Sequence, residues 1–131
     1  EALLKMTSYG FGCVGITNNK NILIGIVTDG DLRRNITKNF LDLPIEKIMT
    51  KNPITIDPML NIKNTVDIMN KNKITSVFVV KNNSKIPEGI IHIHDCIKIG
   101  WLWKKKIKHF ITPGIKIFKR MPLIMSIRKL F

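Results

Sequence analysis

The sequence predicts an α/β protein built from two β-α-β-β-α repeats, the first incomplete, with a basic C-terminal extension. Three observations predict it. Gly25-Ile26-Val27-Thr28-Asp29-Gly30-Asp31-Leu32-Arg33-Arg34 returns, altered, 64 residues later as Gly89-Ile90-Ile91-His92-Ile93-His94-Asp95-Cys96-Ile97-Lys98. In each copy a glycine opens a short apolar run, and an aspartate follows six residues after it, Asp31 in one and Asp95 in the other. Upstream, Cys13-Val14-Gly15-Ile16-Thr17 lies against Ser76-Val77-Phe78-Val79-Val80 at an offset of 63, so the turn in the second copy carries one extra residue. A strand-to-helix junction repeated with one acid kept in place marks a tandem module.

The elements follow in order. Ala2 to about Ser8 reads as the end of a helix, closed near Gly10. Val14–Thr17 and Ile22–Val27 read as a strand pair around the Asn-rich turn at Asn18, Asn19 and Asn21. A helix is expected from Gly30 to about Thr37, and a connector over Asn39–Leu43. Pro44 suits the first turn of a short helix reaching Met49. Ile54–Ile56 reads as a short strand. Asn61 is placed to cap a helix in which Ile62, Val66 and Met69 share one face. Val77–Val80 and Gly89–His92 are the second strand pair, and a helix from His94 should end at Gly100. Met6, Met49 and Met69 are expected in the core.

These assignments divide the chain into a truncated first repeat (1–43), a second repeat (44–100) and a tail (101–131). The second copy continues upstream through Ile48 to Pro58, and the first has no counterpart. Residue 1 is therefore expected to fall inside a structural unit of a longer protein. The first repeat should be less stable than an intact one.

Charge is unevenly placed. Residues 1–100 hold 13 Lys/Arg and 9 Asp/Glu, a net of +4, and residues 101–131 hold 9 Lys/Arg and no acid. The basicity thus belongs mostly to the tail, and it says little about nucleic-acid binding by the body. The tail opens Trp101-Leu102-Trp103-Lys104-Lys105-Lys106 and is broken by Pro113-Gly114. Two readings stand for it: a basic amphipathic segment meeting a membrane surface, nucleic acid or acidic partner, or an extension with no binding role. No apolar run is long enough to span a membrane. Cys13 and Cys96 sit at non-equivalent repeat positions, so reduced thiols in a cytoplasmic protein are expected.

The junction carries the chemistry. A strand ending in Thr28 and passing into a helix at Gly30 offers backbone N–H groups at a helix start, which favour phosphate. The Thr28 hydroxyl can add a bond to phosphate or ribose. Asp31 can accept two vicinal sugar hydroxyls, and Gly30 leaves the entrance without a side chain. Helix capping explains the same residues, since Thr28, Asp29 and Asp31 are ordinary first-turn residues. In the second copy His92 stands where Thr28 does, beside the retained Asp95, so that site is degraded or retuned. Arg33 and Arg34 either reach a phosphate or lie on a solvated face. Thr50, Thr55 and Thr75 are candidates to line the cleft between repeats. His92, His94 and Cys96 lack a fourth ligand, so no metal is expected. No nucleophile–base constellation stands out, and neither catalytic residues nor cofactors are assigned.

Paired β-α-β-β-α units with Gly-hydrophobic-x-Thr-x-x-Asp at the last junction resemble tandem CBS domains, the regulatory Bateman module. The string Gly25–Arg34, followed by Ile48-Met49-Thr50-Lys51-Asn52-Pro53-Ile54-Thr55-Ile56, resembles the C-terminal regulatory half of bacterial D-arabinose 5-phosphate isomerases. The resemblance covers residues 1–100. It implies a pair of repeats that self-associate and bind an adenosine nucleotide or a CMP-sugar through Thr28, Gly30 and Asp31, with His92 and Asp95 as the weaker counterpart. It also implies a place in the synthesis of Kdo, a lipopolysaccharide sugar. The isomerase domain of that family lies outside the matching stretch, so the chain is expected to regulate and not to catalyse.

Overall fold

A computed structural model describes residues 2–36, 42–81, 84–98 and 124–126. Helix α1 (Ala2–Tyr9) leads into strands β1 (Cys13–Thr17) and β2 (Leu23–Thr28), helix α2 (Asp29–Arg34) and a single turn α3 (Ile45–Ile48). Then come β3 (Thr50–Lys51), β4 (Thr55–Ile56), α4 (Ile62–Asn72), β5 (Ser76–Val80), β6 (Pro87–His92) and a helix α5 over residues 93–98. A last strand, β7 (Ile124–Ser126), comes from the tail. The mixed α/β architecture with two small sheets is the expected one. Sheet one has the order β3-β2-β1-β7 and sheet two β4-β5-β6.

The repeat is visible in the hydrogen bonds. Cys13 pairs with Thr28 in one hairpin and Ser76 with His92 in the other. Both hairpins slip register at the same place, after Ile16 and after Val79. The Asp29 N–H donates to the Gly12 carbonyl at 3.0 Å, as the Ile93 N–H donates to that of Thr75 at 2.8 Å.

Every residue of β1 is buried, because the strand is covered on both faces. Val14 and Ile16 join Met6, Val27, Leu32 and Ile48 beneath α1, α2 and α3. Cys13, Leu23, Phe78 and Ile90 form the layer between the sheets. Val77 and Val79 turn the other way, onto Met69 and Ile56. The result is a helix-sheet-sheet-helix stack. Gly15 permits the close approach of the sheets: a Cβ there would sit 2.8 Å from Phe78, which is wholly buried. Met6 and Met69 are core residues as expected, and Met49 packs partly buried against the first cluster.

Element boundaries differ from the expected ones by one or two residues in most cases. Helix α2 ends at Arg34 instead of Thr37, with the Asn35 N–H and side chain both closing on the Asp31 carbonyl. The connector expected over Asn39–Leu43 and the helix end at Gly100 lie largely outside the described residues. Strand β3 pairs with β2 and Ile45 and Ile48 join the first core, so residues 44–51 pack on sheet one. Asn61 caps α4 as expected, its side chain accepting from the Asn64 N–H at 2.8 Å.

Candidate functional site

A cleft of about 820 Å³ opens where the two repeats meet. The first repeat contributes Thr28, Asp29, Gly30, Asp31, Arg33 and Arg34 at the β2–α2 junction, with the Gly10–Cys13 loop beside them. The second contributes Lys73, Thr75, Ser76, His92 and His94, and the segment between the repeats adds Thr50, Asn52, Pro53 and Ile54. Of the three threonines expected there, Thr50 and Thr75 line the cleft and Thr55 does not. His92 joins Thr28, Gly30 and Asp31 in this one cleft, whereas Asp95 is not among its lining residues.

Asp31 is the centre of a closed network. Its Oδ2 accepts from the Thr28 N–H at 2.8 Å and from the Thr28 hydroxyl at 2.6 Å. Its Oδ1 accepts from Arg34 at 2.6 Å and from the Thr50 hydroxyl at 3.3 Å. The Asp31 N–H donates back to Thr28 Oγ1 at 3.2 Å, completing a capping box. Burial alone would raise this carboxyl, but the Thr28 hydroxyl, the Thr28 backbone and Arg34 together hold it below its ordinary 3.8. All four acceptor positions of the carboxylate are taken. A ligand's hydroxyls reach it only if a present donor moves away. Arg34 is the donor free to do so, since its side chain is 70% exposed. Gly30 stands in the same corner, where a Cβ would meet Arg34 at 3.3 Å.

Two of the N–H groups at the start of α2 have partners within the protein. The Asp29 N–H is bonded to Gly12 and the Asp31 N–H to Thr28. Two carboxylates in the first turn also offset the positive end of so short a helix. Arg33, Arg34 and Lys73 add cationic side chains to the lining of the cleft. Gly12 has φ +63, and a Cβ there would meet the Asp29 carboxylate at 2.8 Å, which fixes the rim of the cleft.

His92 takes over the cap of α5 from the threonine of the first repeat. Its Nδ1 accepts from the His94 N–H at 3.2 Å. The two imidazoles lie 4.8 Å apart, and Phe11 meets His92 edge-on at 6.3 Å. Burial first, then the neighbouring His94, lower His92 below its ordinary 6.5, against the opposing pull of Asp95. Among the described residues no group of three or more His, Cys, Asp or Glu side chains is arranged to hold a metal. Both cysteines are free and buried, and burial pushes the Cys13 thiol up to about 11. Sequence reasoning passed over Phe11, Asn52 and Lys73. Lys73 is the left-handed C-cap of α4, φ 54, and a lysine there gives the sequence no special mark.

An α-β-β-α unit stacked on a β-α-β-β-α unit, with a shared cleft at the strand-to-helix junctions, defines a tandem domain pair. The CBS domain family model matches residues 1–38 and 45–101, and the chain belongs to that family. Over 101 residues it is 38% identical to the arabinose 5-phosphate isomerase KdsD of Francisella tularensis, covering 76% of this chain and 30% of that one. It is 32% identical to the isomerase GutQ of Salmonella typhimurium over 101 residues, covering 76% and 31%. The chain thus spans about a third of the length of these relatives. Among solved structures, it superposes on the CBS domain pair of protein MJ0100, in complex with 5′-methylthioadenosine and S-adenosyl-L-methionine, with TM-score 0.67 and 26% identity. That match covers 80% of this chain and 81% of the other. The CBS protein ATU1752 of Agrobacterium tumefaciens gives TM-score 0.68 at 25% identity, over 76% and 80%.

Proposed function

We propose that this CBS pair is a regulatory module that binds an adenosine nucleotide or a CMP-sugar in the cleft between its repeats. One observation carries the reading. A single cleft collects a hydroxyl–carboxylate pair for sugar hydroxyls, Thr28 with Asp31, and the cations Arg33, Arg34 and Lys73 for phosphate. Arg34 acts as a place-holder on Asp31 and swings to the phosphate when a ribose arrives. The adenosine ligands of the MJ0100 pair, named for that protein, support the ligand class. The likeness to KdsD and GutQ supports a further step: the module serves an arabinose 5-phosphate isomerase of Kdo synthesis.

A second reading has its own observation. Every acceptor position of Asp31 is already used within the protein, as a purely structural capping box requires. The pair would then mediate self-association with no ligand. Calorimetric titration with AMP, ATP, S-adenosyl-L-methionine and CMP-Kdo separates the two. Saturable heat with any of them supports the module as a sensor. Absence of heat with all four, with sedimentation showing a dimer, leaves the structural reading. The 131-residue chain is expected to interconvert arabinose 5-phosphate at background rate. Turnover that survives repurification would overturn the assignment of a purely regulatory role.

A further inference from the structure

The edge of β1 away from β2 is occupied by β7, from the segment without a counterpart in the repeats. β7 runs parallel to β1, with Ile124 opposite Gly15 and Met125 opposite Ile16. In the second repeat β4 runs parallel to β5, with Thr55 opposite Phe78 and Ile56 opposite Val79. The repeat offset of 63 carries Gly15 onto Phe78 and Ile16 onto Val79. β7 therefore has the place, direction and register in sheet one that β4 has in sheet two. The register sets Pro122-Leu123-Ile124-Met125 against Pro53-Ile54-Thr55-Ile56 in sequence, which share the proline and apolar residues at the second and fourth positions.

We propose that residues 124–126 take the place of the repeat's leading strand, so that the tail completes the first sheet from the C-terminal side. The occupant of the slot is this chain's own segment. The demand for it is physical. β1 is buried on both faces, and a bare edge would leave backbone N–H and C=O groups of a buried strand without partners. A parallel neighbour needs a long connection, on the order of a dozen residues or more, and the chain between Thr17 and Ile124 is far longer than that. The slot selects for backbone and a short apolar pattern, so a basic segment of otherwise unrelated sequence can fill it.

Amide exchange by NMR on the 131-residue chain tests the proposal. Between Val14 and Thr17, amides that point away from β2 should be protected in the parent. They should exchange at least tenfold faster in Met125→Pro, while Val77–Val79 keep their protection. If Met125→Pro disturbs both sheets, a variant with Ile124, Met125 and Ser126 all replaced by Gly keeps the backbone donors and lowers only strand propensity. Selective loss at β1 in either variant supports the proposal. Unchanged exchange at β1 overturns it, as does equal loss over both sheets in both variants. Protection that grows with protein concentration, alongside a dimer in sedimentation, overturns it too, since the strand would then come from a second copy.

Discussion

As a cap Asp31 is complete, its carboxylate bonded to Thr28, Arg34 and Thr50. Under the proposed ligand-binding reading it must also accept sugar hydroxyls, and for that Arg34 has to leave. An ion pair with an arginine 70% exposed is worth under about 1 kcal/mol, so that release is cheap. Asp31→Ala is expected to weaken nucleotide binding by about ten- to a hundredfold, the worth of a charged acceptor facing sugar hydroxyls. Asp95→Ala should cost less, because Asp95 stands outside the cleft lining and His92 breaks the Thr–Asp pair there. Calorimetry measures both, with melting curves to show that each variant stays folded. Equal losses would mean that the ligand sits elsewhere. The same carboxylate governs acid stability. Its folded pKa lies below the unfolded value near 3.8, so its contribution is present above 3.8 and is lost as pH falls through the folded value. As pH is lowered from just above 3.8, the parent should lose more melting temperature than Asp31→Ala does. Parallel curves would show that the network is not what holds the carboxyl down. The Thr28–Asp31 pair was legible in the sequence because both residues sit within one turn. The Arg34 and Thr50 donors were not, since nothing local distinguishes a solvated arginine from one folded back.

Among elements, the hairpins, α4, the short helix α3 and the short strand β4 were legible, and β3 and β7 were not. β1–β2 and β5–β6 announce themselves by apolar runs around Asn-rich turns. α4 does so by its cap at Asn61 and by the Val66–Met69 face. β3 has two residues, both exposed, and so no alternation for a pattern to show. β7 hid among lysines and arginines, and its match to β4 becomes meaningful only once both registers are known. Gly15 lies where these elements converge, between β2 and β7 and facing Phe78. Gly15→Ala would push a methyl to within 2.8 Å of a ring that is wholly buried and has little room to give. Overpacking of this kind costs about 1–3 kcal/mol. Urea unfolding should show a lower midpoint at unchanged slope. A midpoint equal to the parent's would mean that the sheets part easily, and that the layer around Phe78 is looser than its burial implies.

For the whole molecule, the charge and the fold are separate matters. The tail carries a net +9 of the total +13, yet three of its residues act as ordinary sheet. The body is tied together at several levels. Cys13, Leu23, Phe78 and Ile90 make one core from both repeats, the Leu23 N–H donates to the Lys85 carbonyl at 2.9 Å, and the Ser76 hydroxyl reaches the Phe11 carbonyl at 3.5 Å. A ligand in the cleft would touch both repeats at once, Thr28 and Asp31 from one side, Lys73 and Thr75 from the other. Binding that requires both repeats folded should stabilise them as a unit. At a ligand concentration of about 100 times Kd the gain is about 2.7 kcal/mol, for a site that the unfolded chain lacks. For a chain of this size that corresponds to a rise of several degrees in Tm. Calorimetric melting with saturating AMP, or whichever nucleotide binds, should show one transition moved upward as a whole. Two transitions with one of them unmoved would place the ligand within a single repeat, and would break the argument that the shared cleft is the site.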